Sequence, residues 1–364
     1  MPSFGHLAAA LKSCLISDDA LFGPWRREND RSFPFSRAAW ALKTLVDAYE
    51  AAANKPNAVL WLPDYFCNQP LSPLRRTGET LRFYPVNERL EPDWAALEAY
   101  AESEPPNLFI LVHYFGNPAD TTAARSFCDR HGAALVEDAT HCLMPTPGIG
   151  ENGDYVLYSL YKHIPVPHGG LLIVRPSGAF LLDRLTAAFD ALETSSPQPG
   201  VWLAKRALQM TLPFLMRFRS RPAFDDDALS DELYEGPQFG TTARRFLTAA
   251  LEGLPDIASR RQRHERDMRK ALAGIPGLAP LFAEATPDSV PYRAAFRADT
   301  PERAADCFTR LQKAGFLPEA WPDLPPEVKN AQHDHGTAIR LRRTVFLLPV
   351  DAAISTQDVR TALV

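Results

Sequence analysis

Residues 107–138 read NLFILVHYFGNPADTTAARSFCDRHGAALVED, and this stretch decides the fold. NLFILVHYF is a nearly continuous apolar run, the pattern of a strand covered on both faces. PADTTAARSFCDRHG predicts a helix ended by a glycine. AALVED is a second buried strand. A strand, a helix and another buried strand form the repeating unit of a parallel sheet.

The same alternation extends outward in both directions. Residues 37–52 place apolar side chains at i, i+3, i+4 and i+7, predicting a helix. AVLWL, LRFYPV, DYVLYSL and GGLLIV read as strands, a helix is expected around residues 68–76, and PDWAALEAYAES is helical with Asp93 as its N-cap. The expected fold is a doubly wound, mostly parallel α/β domain. Residues 178–275 are mainly helical. From about residue 288, YRAAFRA, PERAADCFTRLQKAG, TVFLLPV and STQDVRTAL spell strand, helix, strand, helix, a small α+β domain. The expected division is an N-terminal extension (1–35), a large α/β domain (36–255) and a small C-terminal domain (256–364).

Composition narrows the function classes. The net charge of −5 across 364 residues gives no general basic face for nucleic acid or an anionic membrane. One basic run, from Arg260 to Lys270, is read at helical spacing as a solvated face. No segment reaches the roughly 18 apolar residues of a membrane span. The first nineteen residues lack a basic n-region and read as a short helix. Five cysteines without a CxxC spacing argue against a disulfide framework or a zinc site, and no metal is expected. Free thiols suit a reducing cytoplasm. The acidic stretch around residues 225–235 reads as a solvated loop.

In sheets of this kind chemistry sits at the carboxyl ends of the strands. His113, Glu137-Asp138 and Ser159 end consecutive strands, Lys162 follows directly, and these ends are expected to share one crevice. Lys162 stands in YSLYKHIPVPHGG (158–170). A lysine that forms a Schiff base must reach its neutral form, which a partly dry site favours. Read alone, it is equally a loop lysine without a role. Asp138 suits the carboxylate that keeps a pyridoxal-phosphate ring nitrogen protonated. Read alone, it is equally a strand-end aspartate that caps the next turn. Ser36, Arg37 and Ala38 open the first helix of the α/β domain, where free N–H groups and the helix dipole favour a phosphate; Ser36 is also an ordinary N-cap. Ser159 is a second phosphate donor candidate. Tyr65 and Phe66 both follow a strand end where an aromatic ring can lie flat on a cofactor, and the sequence does not choose between them. His141, three residues after Asp138, can hydrogen-bond the cofactor's phenolic oxygen.

Over residues 36–175 the chain resembles the DegT/DnrJ/StrS-type aminotransferases, which are fold-type-I pyridoxal-phosphate enzymes acting mostly on nucleotide-linked keto-sugars. The block from LVHYFGNPAD to EDATHC and the lysine loop with its Gly-Gly strand carry the likeness. DIASRRQRHERDM, GFLPEAWP and FLLPV continue it more loosely. The resemblance implies pyridoxal 5′-phosphate bound covalently to Lys162, with Asp138 on the ring nitrogen, His141 in place of the usual glutamine, and Ser36, Arg37 and Ser159 toward the phosphate. It implies an amino donor such as glutamate, a keto-sugar acceptor, and a homodimer with a shared site. Three features depart from the family pattern. The usual Ser-Gly-Thr is Ser36-Arg37-Ala38, the serine-to-lysine spacing is two residues shorter, and the asparagine-bearing segment that reaches the partner has its nearest counterpart around Gln238. Two rivals remain: another fold-type-I reaction, such as a lyase or aldolase, and a non-catalytic protein of the same fold.

Overall fold

The computed structural model describes all residues except 1–4, 6–8, 11, 55, 212–222, 226–235, 285, 287 and 352–354. Part of the expected N-terminal helix falls on residues outside this set, as does the acidic stretch after Asp225. A short helix, α1 (Asp18–Leu21), is capped by Ser17.

The large sheet has seven strands: β1 (Arg31–Phe35), β2 (Val59–Pro63), β3 (Thr80–Tyr84), β4 (Leu108–Val112), β5 (Ala134–Ala139), β6 (Tyr155–Ser159) and β7 (Gly170–Val174). Their order is β1-β7-β6-β5-β4-β2-β3. β7 runs against both neighbours and the other pairings are parallel. Strands β4 to β7 are buried along their whole length, as their apolar runs require. The last five residues of the expected N-terminal extension therefore form an edge strand of this sheet.

Helices cover the faces. They are α2 (Ala38–Ala53), α3 (Ser72–Thr77), α4 (Trp94–Ala101), α5 (Thr121–His131), α6 (Leu182–Asp190), α7 (Pro199–Thr211) and α8 (Thr241–Ala250). Their ends follow from local chemistry. Asp93 accepts from the Ala96 N–H and Asp120 from the Ala123 N–H, and Gly132 ends α5 at φ 66°. The helix expected near residue 68 begins as a 3-10 turn, Gln69–Leu71, before α3.

Helix α9 (Leu254–Leu272) links the two units. Leu254 packs with the large-domain core, while Met268 and Leu272 join the C-terminal core. The basic run lies on α9, and its reading needs a correction. Arg260, Arg263, Arg266 and Lys270 are exposed, but Arg261 is only 2% exposed. Its guanidinium donates to the Pro291 and Tyr292 carbonyls at 3.2 and 3.0 Å, and burial pushes its pKa down to about 10. The C-terminal unit holds an antiparallel sheet of β8 (Leu278–Pro280), β9 (Arg293–Ala298) and β10 (Val345–Pro349), ordered β10-β9-β8. Helices α10 (Pro301–Lys313), α11 (Pro326–Asn330), α12 (Gly336–Thr344) and α13 (Thr356–Leu363) complete it. Among the described residues no helix is long and apolar enough to cross a membrane.

Candidate active site

A cleft of about 550 Å³ opens at the carboxyl ends of β4, β5 and β6. Val112, Asp138 and Ser159 form part of its floor, and Arg37 and Ala38 stand at one end. Tyr292, Glu319 and Trp321 of the C-terminal unit close it from above.

Asp138 is 6% exposed, and its Oδ1 accepts from the Thr140 N–H at 2.9 Å. Among the described residues no cationic side chain pairs with it. A buried carboxylate left in this state calls for a cationic N–H donor.

His113 and Glu137 do not join it, although both end strands. Side chains alternate across a strand, and these two meet outside the cleft as a fully buried pair, 2.8 Å apart. His113 Nδ1 accepts from the Ala119 N–H, which leaves Nε2 to donate to Glu137. Glu137 also accepts from the N–H groups of Gly150, Asn152 and Gly153 at 2.6, 2.8 and 2.6 Å. Burial alone would raise its pKa. The His113 ring and the Gly153 and Asn152 amides overcome that and hold it below the usual 4.5. This pair is a structural pin under the loop 150–153.

His141 lines the cleft between two rings, 4.7 Å from Tyr292 and 5.4 Å from Phe115, nearly parallel to both. Phe115 sits in the left-handed region at φ 55°, rare for a bulky residue. That turn aims its N–H at His141 Nδ1, 3.4 Å away. The proton therefore sits on Nε2, which is buried and has no hydrogen-bond partner. Burial, then the Lys162, His163 and Arg293 charges, holds His141 neutral, far below its usual pKa. It is a fixed, neutral donor.

Lys162 ends a 3-10 turn, Leu160–Lys162, directly after β6. Its Nζ lies 5.5 Å from the centre of the Tyr292 ring. The loop returns through Pro165 and Pro167, and the Gly169 N–H donates to the Ser36 carbonyl at 2.8 Å. Gly170 explains the second glycine: a Cβ there would lie 2.2 Å from the Arg37 carbonyl carbon and 2.4 Å from the Ala38 nitrogen. Only glycine lets β7 pass so close to the start of α2.

At that start Arg37 takes the cap position without a side-chain cap, and its guanidinium lies 4.2 Å from the centre of the Tyr161 ring. Ser36 is displaced from the roles expected for it. It is fully buried outside the cleft, its N–H donates to the Pro237 carbonyl, and its Oγ has no partner among the described residues. Of the two aromatics after β2, Phe66 lines the cleft. Tyr65 lies behind it, its hydroxyl donating to the Trp321 carbonyl at 2.6 Å. Gln238 does not reach its own chain's cleft; it forms a β-bridge with Phe35.

Sequence reasoning missed Tyr292, Trp321 and Glu319, which arrive from more than 120 residues beyond Lys162. Cys67 was missed as well. Its Sγ donates to Asp323 at 2.7 Å, and burial, then Asp323, raises the thiol pKa well above 9.0. With the Asn68 N–H on the Asp323 carbonyl, these bonds clip the C-terminal unit over the cleft. Arg293 donates to Glu319 at 2.9 Å, behind the cleft wall, and Arg340 pairs with Glu88 elsewhere.

The sheet order, with its single reversed strand, is the fold of the fold-type-I pyridoxal-phosphate enzymes, and Asp138 and Lys162 both line the cleft at its strand ends. Residues 73–178 match the model of the DegT/DnrJ/EryC1/StrS aminotransferase family, and this block carries Asp138, His141, Ser159 and Lys162. The chain superposes on solved structures over nearly its whole length. DesV of S. venezuelae is 19% identical with a TM-score of 0.67, covering 98% of this chain and 91% of its own. A Streptococcus pneumoniae protein described as a sugar aminotransferase, solved in its PLP form, is 15% identical with a TM-score of 0.73, covering 99% and 93%. PseC of Helicobacter pylori, an aminotransferase in pseudoaminic acid biosynthesis, is 13% identical with a TM-score of 0.71, covering 100% and 95%.

Proposed function

We propose that the chain transfers an amino group from an amino acid such as glutamate to a nucleotide-linked keto-sugar, with Lys162 as the catalytic base and acid. One observation carries this reading: an unpaired buried carboxylate, a neutral histidine with an unused N–H and a lysine all face one cleft. These groups fit pyridoxal phosphate. Asp138 would hold the protonated ring nitrogen and His141 Nε2–H the phenolic oxygen. The Ala38 and Ala39 N–H groups, with Arg37 and Ser159, would take the phosphate. Phe66 is the aromatic placed to cover the ring. Bound there, the cofactor supplies an electron sink for the substrate's carbanion.

The protein's own contribution is proton movement and exclusion of water. The Lys162 amine takes the proton from the donor's α-carbon and returns one to the acceptor carbon. The Tyr292 ring stands beside Nζ, 5.5 Å from it, and limits where the amine can swing. Trp321 and Tyr292 close the cleft, which strengthens each charged contact inside. We expect a homodimer whose partner completes the site, and a cytoplasmic setting in keeping with five free thiols.

The test is the visible spectrum of the protein with pyridoxal phosphate, wild type beside Lys162→Ala. The reading requires a band that borohydride fixes to the wild type alone, and loss of that band on adding glutamate. Binding without conversion by any amino donor would favour a lyase or aldolase. No binding at all would favour the non-catalytic protein. Full activity in a monomer on a sizing column would contradict the dimer.

A further inference from the structure

Helix α7 wears an apolar stripe on its outside. Its inner face is half-buried: Trp202 and Leu203 pack on the large-domain core, and the Trp202 ring meets Phe246 of α8 edge-on at 5.2 Å. Arg206 and Gln209 share that face and are joined by a 2.7 Å hydrogen bond. The outer face carries Val201, Ala204, Lys205 and Leu208, at i, i+3, i+4 and i+7, and all four are exposed. Val201 is 79% exposed and Leu208 48%. A surface helix ordinarily turns such a stripe toward the core, and an exposed apolar stripe marks a contact surface. None of these residues lines the cleft.

Charge says what the surface contacts. The chain is acidic overall, yet between Glu193 and Asp225 it holds no acidic residue and five basic ones: Lys205, Arg206, Arg217, Arg219 and Arg221. Residues 212–222, LPFLMRFRSRP, lie outside the described residues, but their sequence continues the same mixture of large apolar and cationic side chains. Lys205 stands within the stripe, where its methylene stem can follow the apolar surface while the ammonium reaches anionic groups beside it. A second copy seated on this face across a two-fold axis would set these cations against their own images. A lipid surface offers apolar chains beneath a layer of negative charge and satisfies both features. We propose that the outer face of α7 docks the protein on an anionic bilayer surface, lying on the bilayer without crossing it.

The test is flotation of the full chain with vesicles at low salt. Vesicles of phosphatidylcholine and phosphatidylglycerol in equal parts should carry the protein, phosphatidylcholine alone should carry little, and added salt should release it. Lys205→Glu should weaken the binding at least about fivefold, the scale of one basic side chain at such a surface. Val201→Glu with Leu208→Glu should abolish it. Val364→Glu, at an exposed apolar position of the C-terminal unit, should leave it unchanged. All these positions are exposed, so melting temperatures should match wild type. The proposal is overturned if the wild type stays with neither vesicle, if it binds phosphatidylcholine alone equally well, or if Lys205→Glu binds as wild type does. It is overturned as well if Val201→Glu with Leu208→Glu lowers the oligomeric state on a sizing column and leaves flotation intact, which would make the face a contact between copies.

Discussion

Asp138 and His141 are three residues apart and approach the cleft with opposite chemistry. The first is a carboxylate with one backbone donor; the second is a neutral imidazole with one unused N–H. Their roles lead to a prediction at Asp138. Asp138→Asn keeps the shape but removes the charge, so one charge-assisted bond, worth about 1.5–3 kcal/mol, is lost. Affinity for pyridoxal phosphate should fall about 10- to 150-fold, measured by absorbance titration; unchanged affinity would remove Asp138 from the site. Ser36 is turned inward, whereas Arg37, Ala38 and Ala39, which we propose take the phosphate, line the cleft.

Among the elements, the junction of β7 with α2 and the pin under β5 carry separate consequences. Gly170→Ala pushes a methyl into backbone, which cannot move as a side chain does. Overpacking of this kind costs about 1–3 kcal/mol, so the urea midpoint should drop and cofactor affinity should drop with it, because Ala38 shifts. A midpoint equal to wild type would show that the two elements do not meet. Glu137→Gln acts differently. The amide nitrogen that replaces one carboxylate oxygen would face N–H donors on whichever side it takes, His113 and Gly150 or Asn152 and Gly153. Breaking such a buried pair costs about 3–5 kcal/mol. Chemical denaturation should show that loss, while the surviving folded fraction binds one cofactor per chain. Normal stability would refute the pin.

For the molecule as a whole, two buried histidines set a pH dependence. His141 and His163 are both held well below 6.5. Burial is the main cause for each, followed by Lys162 for His141 and by Arg261 and Lys162 for His163. The unfolded chain protonates these imidazoles near the ordinary value of about 6.5, and the folded chain does not. Below that pH the unfolded state binds more protons, so stability falls as pH falls. It continues to fall until the folded groups titrate, at about 1.4 kcal/mol per histidine per pH unit. Melting temperature should decline from about pH 6.5 downward, and His141→Gln should flatten the decline. A profile that His141→Gln leaves unchanged would mean the ring already carries charge in the folded protein.

The sequence by itself determined the parallel sheet, because strands buried on both faces read as nearly continuous apolar runs and the segments between them carry helical periodicity. It also determined that Asp138 and Ser159 fall at strand ends, with His141 and Lys162 just beyond them, where this architecture gathers chemistry. Only the tertiary structure decided which strand-end groups face inward. Asp138 and Glu137 are neighbours with alternating directions, and a shift of one residue in register would exchange them. It also chose Phe66 over Tyr65, buried Ser36 and Arg261, and brought Tyr292, Glu319 and Trp321 over the cleft. Those outcomes depend on contacts between segments far apart in the chain, which leave no local periodicity to read.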